Sequence, residues 1–133
     1  MDAQITLVTL IVKNQAEALE FYTKKLGFEK KTDFPYPNGT RWLTVRPRGQ
    51  TVELALWQVG WPDATGLSRN WKAGQGPPIV LSVDNCQKAY EELRSRGVGF
   101  KQEAREVPYG TIAFFTDPDG NLFEILESKS SQR

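Results

Sequence analysis

The C-terminal half of this 133-residue chain repeats the N-terminal half at an offset of 71 residues. Pro108-Tyr109-Gly110-Thr111 answers Pro37-Asn38-Gly39-Thr40, Pro118 answers Pro47, Gly120 answers Gly49, and Glu124 answers Glu53. Asn85, Ala89 and Glu91 fall on Asn14, Ala18 and Glu20. In between, the offset slips by one, so that Gly99-Phe100 answers Gly27-Phe28. Glycine and proline recur where turns demand them, which identifies one supersecondary unit built twice. The matched glutamates are expected at equivalent places, facing each other across a pseudo-twofold axis.

Each half reads as strand, helix, then three strands. Residues 5 to 12 are apolar or β-branched throughout, as expected of a strand covered on both faces. Asn14 is placed to cap a helix, with Glu17 completing a capping-box-like pair. Ala18, Tyr22 and Leu26 recur every fourth residue, so the spacing predicts one helix as far as Gly27, its C′ glycine. Strands follow near 28 to 34, 41 to 46 and 51 to 57, the last two joined by the Pro47-Arg48-Gly49 turn. In the second half, 79 to 83 form a strand, Asn85 caps a helix with Ala89, Tyr90 and Leu93 on its stripe, and Gly97 stops it. Strands near 99 to 105, 111 to 116 and 121 to 127 complete the unit, the last two joined by Asp117-Pro118-Asp119-Gly120, a type I turn sequence.

One domain spanning 1–133 is expected, with modules at about 4–58 and 78–128 and a Gly/Pro-punctuated tether at about 59–77 that is long enough to act as a lid. Seventeen basic and sixteen acidic residues give a net charge of +1, which provides no footprint for nucleic acid. Met1-Asp2-Ala3-Gln4 has no leader character and no apolar run approaches a membrane span, so a cytoplasmic protein is expected. The single cysteine, Cys86, closes no disulfide within the chain. Just past a helix cap its thiol is exposed to the helix dipole, but it lacks a partnering base, and a structural role is expected.

Histidine is absent. This removes the Ser-His-Asp and Cys-His arrangements and the commonest ligand of zinc, iron and nickel.

Strand alternation assigns faces. Val52, Leu54 and Leu56 belong on the helix side, which leaves Glu53, Ala55 and Trp57 on the other. Phe123 and Ile125 likewise point at a helix, and Leu122, Glu124 and Leu126 away from it. Leu7, Thr9 and Ile11, with Pro78, Val80 and Ser82, share the second face. That face is too apolar to be left wet, and a concave sheet around a ligand would satisfy it.

The order strand, Asn-capped helix, Phe21-Tyr22-Thr23-Lys24-Lys25-Leu26-Gly27-Phe28, Arg41-Trp42-Leu43-Thr44-Val45, then Asp117-Pro118-Asp119-Gly120-Asn121-Leu122-Phe123-Glu124 resembles the vicinal oxygen chelate superfamily of glyoxalase I, bleomycin-resistance proteins and extradiol dioxygenases. The resemblance covers nearly the whole chain. It implies an α+β fold in which two βαβββ modules form a U-shaped, partly open barrel, usually within a homodimer. In metal-dependent members each module gives one ligand from its first strand and one from its last. Carried onto this chain, the last-strand positions are Glu53 and Glu124, and the first-strand positions are Leu7 and Pro78, which have no donor side chain. No metal and no cofactor are therefore expected.

Trp42, Trp57, Trp61 and Trp71, with Phe34, Tyr36 and Tyr109, supply aromatic surface on strands, tether and loops. A carboxylate beside tryptophan suits flat or cationic organic molecules. Trp42, Glu53, Trp57, Tyr109 and Glu124 are the candidate ligand-binding residues, and metal-independent binding of a small aromatic or cationic molecule is the expected function. The alternative is a lyase, isomerase or dioxygenase-type enzyme with Glu53 or Glu124 as its acid-base group.

Overall fold

A computed structural model describes residues 1–37, 39–59, 73–74 and 76–129. Most of the expected tether, with Trp61 and Trp71, lies outside the described residues, as does Asn38. The chain divides into two compact units, Met1–Gln75 and Gly76–Arg133. Each holds one four-stranded mixed sheet, and no pairing among the described residues links the two sheets.

In the first unit, β1 (Leu7–Val12) leads to α1 (Gln15–Glu20), a π-helical turn (Phe21–Lys25), β2 (Glu29–Pro35), β3 (Arg41–Arg46) and β4 (Glu53–Gln58). The strand order is β1-β4-β3-β2, with β1 parallel to β4 and the other pairs antiparallel. Asn14 is extended and its Oδ1 accepts the Glu17 N–H at 2.9 Å, so Glu17 completes the cap through its backbone. The single α-helix expected as far as Gly27 is not formed. At Phe21 the helix widens, and Leu26 N–H donates to the Phe21 carbonyl. Two adjacent large rings, Phe21 and Tyr22, are both buried. An α-turn sends neighbours about 100° apart, and the wider turn brings both rings inward. Gly27, at φ +76, then closes the helix while Phe28 N–H donates to the Tyr22 carbonyl.

Gln15 ties this helix to the sheet. The ladder between β3 and β4 is limited to two registered pairs, Thr44 with Ala55 and Val45 with Leu54. Beyond them the buried Gln15 carboxamide donates to the carbonyls of Arg41 (2.6 Å) and Leu56 (2.8 Å) and accepts the Arg41 N–H (3.0 Å). One side chain thus satisfies three backbone groups that would otherwise be left without partners.

In the second unit, β5 (Ile79–Ser82), α2 (Cys86–Ser95), β6 (Phe100–Val107), β7 (Gly110–Thr116) and β8 (Leu122–Ser128) build a sheet of order β5-β8-β7-β6. Asn85 Oδ1 caps α2 through the Lys88 N–H, and Gly97, at φ +89, ends it. Tyr90 packs edge-on against Phe100 (4.6 Å), Phe100 against Phe115 (5.5 Å), and Phe115 stacks on Phe123 (5.2 Å). This column fixes which face of the sheet lies under the helix. At its N-terminus the Cys86 N–H donates to Glu127 Oε1 at 2.9 Å. The Cys86 thiol is buried, and desolvation, reinforced by the Glu127 and Glu124 carboxylates, pushes its pKa up.

The Asp117 turn is held by its own side chain. Oδ1 accepts the N–H groups of Asp119 (2.9 Å) and Asn121 (2.8 Å), and Oδ2 accepts Asn121 Nδ2 (2.8 Å). Gly120 takes the left-handed position at φ +89.

Asp117→Ala leaves two backbone N–H groups and a buried amide without their acceptor, and is expected to lower the unfolding free energy by about 2–3 kcal/mol in urea titrations. Cys86 should resist alkylation at pH 8 in the native protein and react at an ordinary thiol rate once unfolded. Because its folded-state pKa lies above the ordinary 9.0, the folded thiol keeps its proton where the unfolded one loses it, so stability should fall as pH rises past that value. Cys86→Ala should remove this alkaline slope.

Candidate functional site

Register places three rows of side chains on the helix-free face of the first sheet. Ile11, Trp57, Trp42 and Phe34 lie along one edge, Trp42 standing directly across from Phe34 and Ile11 from Trp57. Thr9, Ala55, Thr44 and Thr32 form the next row, in unbroken register across all four strands. Glu53 lies beyond them beside Leu7. The middle row is small and closed off, with Ala55 at 0% and Thr44 at 1% exposure. Glu53, Trp42 and Trp57 are half-buried, and Phe34 beside Trp42 is exposed. Glu53 and Trp57 share this face as alternation requires, separated along β4 by roughly 13 Å.

Glu53 forms no ion pair with a described residue. Arg41, on the neighbouring strand β3, is engaged elsewhere. Its Nε and Nη2 donate to Asp33 Oδ1 (3.0 Å) and Oδ2 (2.8 Å), and this hydrogen bonding holds the Asp33 carboxyl below its usual range. Arg46 is likewise taken by Glu29 at 2.7 Å.

The corresponding face of the second sheet is organised by irregularities. Phe100 registers with Phe115 but Gln102 with Phe114, so one extra residue reverses the alternation and turns Gln102 away from the helix side. A second shift before Arg105 keeps that residue on the same face, across from Ile112. The result is a row running Gln102, Phe114, Glu124, Val80 across β6, β7, β8 and β5. Glu124 is only 9% exposed and forms no salt bridge with a described residue. Tyr109 stands apart. It is 48% exposed on the β6–β7 turn, next to Gly110, which pairs with Ser128 roughly 13 Å along β8 from Glu124. Gln102 and Phe114 were missed in the sequence because nothing in composition or spacing marks a one-residue bulge.

Leu7 stands directly across from Glu53. Across from Glu124 stands Val80, while Pro78 precedes β5. None of the three has a donor side chain, and among the described residues no three His, Cys, Asp or Glu come together as a metal site. The residues present do not fit a metal centre that takes one ligand from the first strand and one from the last strand of each module, as in the metal-dependent members.

Residues 4–125 match the Glyoxalase/Bleomycin resistance protein/Dioxygenase superfamily. The uncharacterized protein YurT of Bacillus subtilis (strain 168) is 37% identical over 126 residues, covering 93% of this chain and 98% of YurT. Lactoylglutathione lyase of Escherichia coli O157:H7 is 33% identical over 132 residues, covering 93% of this chain and 92% of the lyase. Among solved structures, TnmS3, an antibiotic binding protein from Streptomyces sp. CB03234, superposes with a TM-score of 0.82 at 28% identity, covering 96% of this chain and 98% of TnmS3. With two βαβββ units, a matched pair of last-strand glutamates and a family match over nearly its whole length, the chain belongs to the Glyoxalase/Bleomycin resistance protein/Dioxygenase superfamily.

Proposed function

We propose that this protein binds a small aromatic or cationic molecule against the helix-free face of its sheets, without a metal and without chemistry. The observation that carries this is Glu53, a half-buried carboxylate with no ion pair among the described residues, on one face with Trp42 and Trp57. A partly desolvated carboxylate gains most from a cationic partner, and indole faces attract flat and cationic groups. The likeness to TnmS3 supports binding as the role of the fold here. The likeness to lactoylglutathione lyase supports a second reading, in which Glu124 moves a proton as a general base. Its burial without an ion pair among the described residues favours that reading.

A homodimer belongs to the proposal. Phe34 and Val80 lie on helix-free faces and are exposed, and apolar surface of this kind is commonly covered by a second copy in proteins of closed symmetry.

Titration with a planar aromatic cation is expected to quench tryptophan fluorescence saturably, and Glu53→Gln to weaken binding about tenfold, as expected of a lost charge-assisted contact. Trp57→Ala should weaken it as well. Absence of saturable quenching, or indifference to Glu53→Gln, would move the assignment to the acid-base enzyme. Sedimentation equilibrium at micromolar concentration should return a dimer mass; a monomer would remove that element of the proposal.

A further inference from the structure

Within the second unit, one row of side chains combines a donor, an aromatic ring and an acid. Gln102 Nε2 is buried and has no hydrogen-bond partner among the described residues. Phe114 stands directly across from it, and Glu124 directly across from Phe114. Buried amide donors nearly always find an acceptor, because an unmet one loses its hydration and gains nothing. The register shift between Phe100 and Gln102 is what brings this amide to the face bearing Glu124; an unbroken strand would send residue 102 to the same side as Phe100, under the helix. Holding a buried, unsatisfied donor on a carboxylate-bearing face costs hydration that no protein hydrogen bond among the described residues offsets.

From this juxtaposition we infer that the row is a two-ended specificity element for a flat ligand with a hydrogen-bond acceptor at one end and a cationic nitrogen at the other. The acceptor meets Gln102 Nε2, the ring lies over Phe114, and the cation meets Glu124. The β6 and β8 backbones are two strand spacings apart, roughly 10 Å, which matches the reach of a para-disubstituted aromatic between two side chains. The inference rests on the proposed binding function and extends it to the second unit, where Glu124 takes the part that Glu53 has in the first.

Three probes separate the two ends: 4-carbamoylbenzamidine, benzamidine, which lacks the acceptor, and benzamide, which lacks the cation. Calorimetric titration is expected to show 4-carbamoylbenzamidine binding at least about fivefold more tightly than benzamidine, an advantage lost in Gln102→Leu. Its advantage over benzamide should be about tenfold and should be lost in Glu124→Gln. Gln102→Leu removes an unsatisfied donor, so its melting temperature should not fall, and loss of affinity there is not a folding defect. In labelled protein, the Gln102 side-chain amide resonances should shift with 4-carbamoylbenzamidine and not with benzamidine. Equal affinity for all three probes, no binding of any, or an acceptor advantage that survives Gln102→Leu would overturn the inference. If planar cations still quench tryptophan and remain sensitive to Glu53→Gln, the binding function stands and only this orientation fails.

Discussion

A strand sends alternate side chains to opposite faces, and each of these four-stranded sheets has a single helix to cover one of them. Everything else follows from what happens on the side away from the helix. The helix faces are filled by large apolar groups, Leu43, Val45, Leu54 and Leu56 in one unit and the Phe115–Phe123 stack in the other. The opposite faces cannot simply be polar, because they hold Ile11, Trp57, Ile112 and Phe114. They are surfaces that bury neutral residues in the middle while holding carboxylates at Glu53 and Glu124. Such a surface suits a ligand that is mostly apolar and bears one complementary charge.

Much of this was legible in the sequence because it rests on local rules. Asn14 and Asn85 act as caps, Gly27 and Gly97 end their helices, and the Asp117 turn forms where proline and glycine place it. The faces of β4 and β8 follow from period-two alternation with no irregularity to disturb it. Where a long-range register decides, local rules fail. The 71-residue offset maps Thr44 onto Phe115, yet Thr44 lies on the helix-free face and Phe115 under the helix. A bulge near Lys31 and the two shifts in β6 change which residues face the ligand side, and they are set by cross-strand pairing rather than by any residue's preference. The π-turn at Phe21 was hidden for a similar reason, since only the demand to bury two neighbouring rings reveals it.

The two last-strand carboxylates persist in a chain whose first strands offer only apolar side chains beside them. A carboxylate kept partly buried without a metal has a desolvation cost that some other positive or hydrogen-bonding group must offset. Among the described residues Arg41 and Arg46 are committed to Asp33 and Glu29. The acids are thus left as unmatched charges on faces where flat rings are also displayed.

Gln15 and Cys86 occupy the same place in the repeat, since 86 − 15 = 71. In one unit an amide reaches into the sheet and stands in for missing ladder bonds; in the other a small thiol lies flat and β7 and β8 pair over seven residues. The outer hairpin of the first unit is therefore joined to its inner strands by two backbone pairs, one amide side chain and the buried apolar contacts of Leu43, Val45, Leu54 and Leu56. The second unit has no amide at that position. Duplication has left two copies of one architecture with unequal ladders, so the backbone amides of β3 beside Gln15 should exchange faster than those of β7.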